Sequence, residues 1–132
     1  MKNASYGAYQ DGVKRSETPT ETDAAVLERA ALLLEDAKAL PGTEEFFMAL
    51  NYNQRIWSVI QAYVIEENPW PDLIKANLMS LSIFVDKQSF KAMAENNPDE
   101  LDVLININRQ IAAGFRSVPP PEKENKQVAV DL

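Results

Sequence analysis

The chain has 132 residues, 45% of them apolar and 25% charged, with a formal net charge of −7. That length supports one domain, burying about two thirds of its unfolded surface. The absence of cysteine and histidine excludes disulfide staples, thiolate or imidazole metal sites, and any Cys- or His-based catalysis.

Residues 1–17 are polar and rich in small residues, with Tyr6 and Tyr9 paired between Ser5 and Gln10. They read as an irregular N-terminal arm, whose tyrosines either fold back as a cover or close over a bound helix. The helical domain is expected over residues 18–116. Thr18-Pro19-Thr20-Glu21 is a capping box with proline at the first helical position. A first helix follows to about Ala39, with Val26, Leu27, Ala30, Leu33, Leu34 and Ala37 on one face, and Pro41-Gly42 ends it.

Thr43 caps a second helix, whose first turn holds Glu44 and Glu45 where the macrodipole favours carboxylates. This helix should run to about Glu66, roughly 34 Å. Phe46, Leu50, Asn53, Trp57, Ile60 and Val64 share its apolar face. Asn68-Pro69-Trp70-Pro71 breaks it, the prolines pushing Asn68 and Trp70 into extended conformations. On that connector Trp70 either plugs the end of a bundle or anchors a partner.

Pro71 and Asp72 start a third helix with a stripe of Ile74, Leu78, Leu81 and Val85, widened by Leu73, Phe84 and Met93. Asn97-Pro98-Asp99-Glu100 recaps the chain for a fourth helix to about Ala113, and Gly114 is the expected left-handed C-terminal residue. Leu101, Leu104, Asn108, Ile111 and Phe115 line its apolar face. Residues 117–132, with Pro119-Pro120-Pro121 and mixed charges, read as a disordered tail. No strand pattern competes. The expected fold is all-α, a bundle of about four helices whose short connectors favour antiparallel neighbours.

Two carboxamides, Asn53 and Asn108, sit inside apolar stripes, and each must find partners or cost roughly 1–3 kcal/mol. They read as a structural polar core that caps or bridges helices, with Arg109 beside it to pair with a carboxylate or a helix end. Glu66 and Glu67 lie at a helix C-terminus, where negative charge is unfavourable. They form either a solvated face or an acidic rim for a cationic partner segment.

Catalysis has little to work with, and no cofactor is expected. The four glycines, at 7, 12, 42 and 114, fit neither a phosphate loop nor a dinucleotide fingerprint. Residues 23–116 carry eight basic and fourteen acidic groups. An acidic body without a basic stripe speaks against gripping a nucleic-acid backbone. The longest nearly apolar stretch, Leu78 to Val85, is far short of a membrane span, and the opening residues contain no signal-like apolar run. A cytoplasmic protein is expected.

The segments Asn53-Gln54-Arg55-Ile56-Trp57, Asn68-Pro69-Trp70-Pro71, Leu81-Ser82-Ile83-Phe84-Val85 and the run from Leu104 to Phe115 resemble the FlaF family of flagellar biosynthesis regulators of alphaproteobacteria. The likeness runs from about residue 6 to residue 116. Asn106 stands where an aspartate is usual, and Trp70 stands where a leucine is usual. The resemblance implies a non-enzymatic protein that binds flagellin, through terminal helical segments, as an export chaperone and positive regulator of flagellin synthesis, with a functional link to FlbT. On that reading Trp70, Tyr6, Tyr9, Glu66 and Glu67 are the candidate partner-binding residues. The alternatives are a direct RNA-binding regulator of flagellin messenger RNA and a structural interaction subunit.

Overall fold

The structure, a computed structural model, describes residues 21–117. The N-terminal arm, the capping box at residues 18–20 and the tail beyond Ser117 lie outside the described residues. Four α-helices make up the described part: α1 (Glu21–Ala37), α2 (Glu44–Ile65), α3 (Asp72–Glu95) and α4 (Asp102–Arg116), with a 3-10 turn at Pro98–Leu101 before α4.

Local chemistry accounts for most of the boundaries. Thr43 caps α2, its hydroxyl accepting from the Phe46 N–H at 3.3 Å. Pro71 occupies the cap position of α3 rather than its first helical position, so the helix begins at Asp72. Asn96 ends α3 in the left-handed region at φ 57°, a conformation that asparagine tolerates better than most residues. Its side-chain oxygen accepts from the Gly42 N–H at 2.8 Å, and Gly42 is itself left-handed at φ 80°. The two turns at that end of the molecule are thereby fastened to each other.

Two ends differ from expectation. The first helix stops at Ala37, two residues early. At the other end, Gly114 is helical and α4 continues to Arg116. There the Ser117 hydroxyl donates to the Gly114 carbonyl at 2.8 Å, and Arg116 is clasped by Glu21 and Glu28 at 2.7 Å each. Those anchors hold the last turn, so no left-handed residue is needed. The opening turn of the fourth helix is 3-10 in form, with the Asn97 side chain accepting from the Asp99 N–H at 3.0 Å.

The neighbours run α4, α1, α2, α3. Short connectors do place α2 beside α3, as Gln61 on Met79 and Gly42 on Asn96 show. However, α4 lies chiefly against α1 and meets α3 little. The chain passes from one edge of the molecule to the other through the 3-10 turn, where Leu101 is fully buried and Gln88 of α3 donates to the Glu100 carbonyl at 2.8 Å. α1 occupies the middle with small side chains, Ala24, Ala30, Ala31 and Ala37, around Leu27 and Leu34. α2 supplies the bulk: Phe46, Leu50, Ile56, Trp57 and Ile60 are all essentially inaccessible. Each such burial is favourable by roughly 1.5–3 kcal/mol.

Candidate functional site

The centre of the molecule is polar at one point. Trp57 Nε1 donates to Asn108 Oδ1 at 2.9 Å, while Asn108 Nδ2 donates to the Leu27 carbonyl at 3.1 Å and to Asn53 Oδ1 at 2.6 Å. An indole N–H can only donate and a carbonyl can only accept, so the orientation of Asn108 follows from its neighbours. Through these bonds Asn53 and Asn108 tie α1, α2 and α4 together. Asn53 Nδ2 has no acceptor among the described residues.

Arg109 does not belong to this core. One residue beyond Asn108 is about 100° further round the helix, and Arg109 points out of the stripe, to 3.9 Å from Glu35. It is one of several surface pairs that join α4 to α1 and the residue after it. Lys38 meets Asp102 at 2.6 Å, and Arg116 meets Glu21 and Glu28.

Trp70 is 2% exposed. Its ring lies edge-on to Tyr63 at 4.8 Å and to Phe115 at 6.0 Å, closing the gap between the ends of α2 and α4. Of the two roles open to it, the placement is that of the plug. A solvent-presented anchor on the connector is thus corrected: Tyr63 and Phe115 enclose the ring, although its Nε1 finds no acceptor among the described residues. Asn68 holds the connector in shape, donating to the Tyr63 carbonyl at 2.6 Å and accepting from the Trp70 N–H at 3.0 Å.

Glu66 and Glu67 are exposed at the end of α2. The unfavourable charge there is relieved by a base that the local sequence does not suggest. Lys75, nine residues ahead, donates to the Glu66 carbonyl at 3.2 Å. Beneath this end lies Asp23, a fully buried carboxylate that the sequence pattern did not single out. Burial first, then the charges of Asp23 and Glu66, push the Tyr63 phenol above its ordinary range. Tyr6 and Tyr9 lie outside the described residues.

The feature that sequence reasoning missed is the outer side of α3. Its buried line is Leu78, Ser82, Val85, Ser89 and Ala92, which are small or polar at most positions. Leu73 and Phe84, expected to widen the core, are 73% and 41% exposed, and Phe90 and Ile83 are 64% and 45% exposed. The reason is packing: α2 is the helix α3 lies along, so a single narrow stripe suffices to bury the contact. The signal was present in the serines at 82 and 89, which keep step with Leu78, Val85 and Ala92 at intervals of three and four.

Fold and surface together define a small all-α protein with a polar hub at its centre and an edge helix left apolar toward solvent. The family model for flagellar protein FlaF matches residues 5–115, and the chain belongs to that family. No curated protein and no solved structure matches it. Family membership makes this a flagellum-related protein, of a regulatory family not known as enzymatic. No described helix is long and apolar enough to cross a membrane.

Proposed function

We propose that this protein is a cytoplasmic, non-enzymatic binding partner of flagellin, acting as a flagellin-specific export chaperone and positive regulator of flagellin synthesis and secretion. Membership of the FlaF family supports the flagellar setting. The single observation that carries the binding role is the outer side of α3, where Leu73, Ile83, Phe84 and Phe90 stand exposed on one helix. Large apolar groups gathered on an exposed surface mark sites of interaction more often than isolated ones do. Amphipathic terminal segments of a subunit awaiting assembly need such a surface, and packing of such a helix alongside α3 is the matching mode.

The test is co-elution of the purified protein with flagellin on size exclusion, alongside filter binding of flagellin messenger RNA at physiological salt. A shifted flagellin peak with no retained RNA supports the chaperone reading. Retained RNA without a flagellin complex overturns it in favour of direct translational control. The charge balance of the body, eight basic against fourteen acidic groups over residues 23–116, weighs against that second outcome.

A further inference from the structure

Both edge helices are packed on one side, yet their free sides differ in kind. On α4, Asp102 pairs with Lys38 just past the end of α1, and Arg109 and Arg116 pair with carboxylates of α1. Its free side carries the exposed amides Asn106 and Gln110, bonded at 3.4 Å, with Val103 the large apolar side chain exposed there. On α3 the positions turned away from the buried line include Ile83, Phe84 and Phe90, and the exposed charges among them are Lys87 and Lys91. Asp86 is half-buried at the flank, and the exposed carboxylates Asp72 and Glu95 stand at the two helix ends. Lys91 reaches Glu100 at 3.6 Å while remaining solvent-accessible. In a chain of net charge −7, the middle of this face is therefore apolar and locally cationic.

We propose that the outer face of α3 between Ile83 and Lys91 is a docking site for an amphipathic helix whose apolar stripe is bordered by carboxylates. Only the naming of flagellin as the protein that bears this helix rests on the function proposed above. Ile83 and Phe90 lie seven residues apart, two turns or about 10.5 Å, the interval at which a facing helix repeats its own apolar side chains. Phe90 is the anchor, because it is the most exposed aromatic of this face, at 64%, and phenylalanine is enriched in the buried centres of interfaces. By helical position Lys87 lies between the Ile83–Phe90 line and Phe84, and Lys91 lies on the Phe84 side; their charge sets register, encounter rate and partner choice rather than most of the affinity.

A second copy of this chain is the poorer occupant. An isologous pair brings the same patch against itself, so each lysine pair would face the other. A heterologous contact needs a second, different surface complementary to this one, and it closes only where the rotation between copies makes a ring.

The experiment is calorimetry of the full chain with two synthetic helical peptides, identical in a leucine stripe but flanked by glutamate in one and lysine in the other, and with flagellin. The glutamate peptide should bind the wild type at least about tenfold more tightly than the lysine peptide. Phe90→Ser should weaken it about tenfold or more, the hot-spot scale. Lys87→Glu with Lys91→Glu should reverse the preference. Leu32→Ser on α1, at a residue 59% exposed, is the control and should change nothing. Circular dichroism checks that each variant keeps its helicity.

No preference between the peptides, binding indifferent to Phe90→Ser, or no peptide binding at all overturns the docking face. A wild-type dimer dissociated by Phe90→Ser overturns it in favour of self-association. Flagellin binding that ignores Phe90→Ser and the lysine reversal removes the face and leaves the chaperone reading standing. A face that captures the glutamate peptide while flagellin fails to bind removes that reading and leaves the face.

Discussion

Asn108 Nδ2 donates to Asn53 Oδ1 at 2.6 Å, joining two helices whose residues are 55 apart in the chain. The same amide holds the Trp57 indole and the Leu27 carbonyl. One side chain on α4 thus fixes its rotation and height against α1 and α2 together. Apolar stripes alone leave such settings loose, because neighbouring registers bury similar area.

Asn108→Ala leaves the Trp57 N–H and the Leu27 carbonyl buried without that partner. It should destabilise by about 1–3 kcal/mol. Asn53→Ala removes one bond to Asn108 rather than three and should cost less. Urea denaturation of both variants checks the order. Equal midpoints for Asn108→Ala and wild type would remove the hub from the account of stability.

Trp70→Ala empties the space between Tyr63 and Phe115. A cost of about 3–5 kcal/mol is expected, the range for deleting a buried aromatic. The change should appear as a lower melting temperature and a changed Tyr and Trp near-ultraviolet signal. A variant of wild-type stability would return Trp70 to the surface.

Gly42→Ala tests the fastening of the two turns. Gly42 holds φ at 80°, and an added Cβ would meet Asn96 Nδ2 at 3.3 Å. The left-handed conformation alone costs a residue with a Cβ about 1–2 kcal/mol. The variant should be destabilised by that amount with its helix content kept, as thermal melts followed at 222 nm would show.

The clasp between α4 and α1 predicts a pH dependence. The hydrogen bond from Arg116 holds the Glu21 carboxyl below its ordinary value of 4.5, against the opposing effect of desolvation, and the Arg116 charge adds to the lowering. A folded pKa below the unfolded one means that the contribution is present above pH 4.5 and is lost as pH falls through the folded value. Wild type should therefore lose melting temperature more steeply below pH 4.5 than Arg116→Gln does. Parallel curves for the two would show that the pair contributes nothing to folding.

The sequence by itself determined the helices, because caps, prolines and three-to-four spacing act over a few residues and need no neighbour to take effect. Thr43, Asn97, Pro71 and the acids of the first turns are legible in this way, as is the demand that Asn53 and Asn108 find partners. Even the family was open to recognition from short segments such as Asn53 to Trp57. What periodicity cannot state is which of two faces of a helix acquires a neighbour. Leu73 and Phe84 look like core residues by type, and they are exposed because α4 crosses to α1 rather than staying beside α3. Trp70 by position could plug a bundle end or anchor a partner, and it is buried because Tyr63 and Phe115 converge on it from separate helices. Asp23 and the base at Glu66 were hidden for the same reason, since burial and through-space pairing arise from contacts between segments distant in the chain. Propensity and capping are local energies, whereas exposure is settled only when the helices choose their neighbours. The outer face of α3 is what that choice left uncovered.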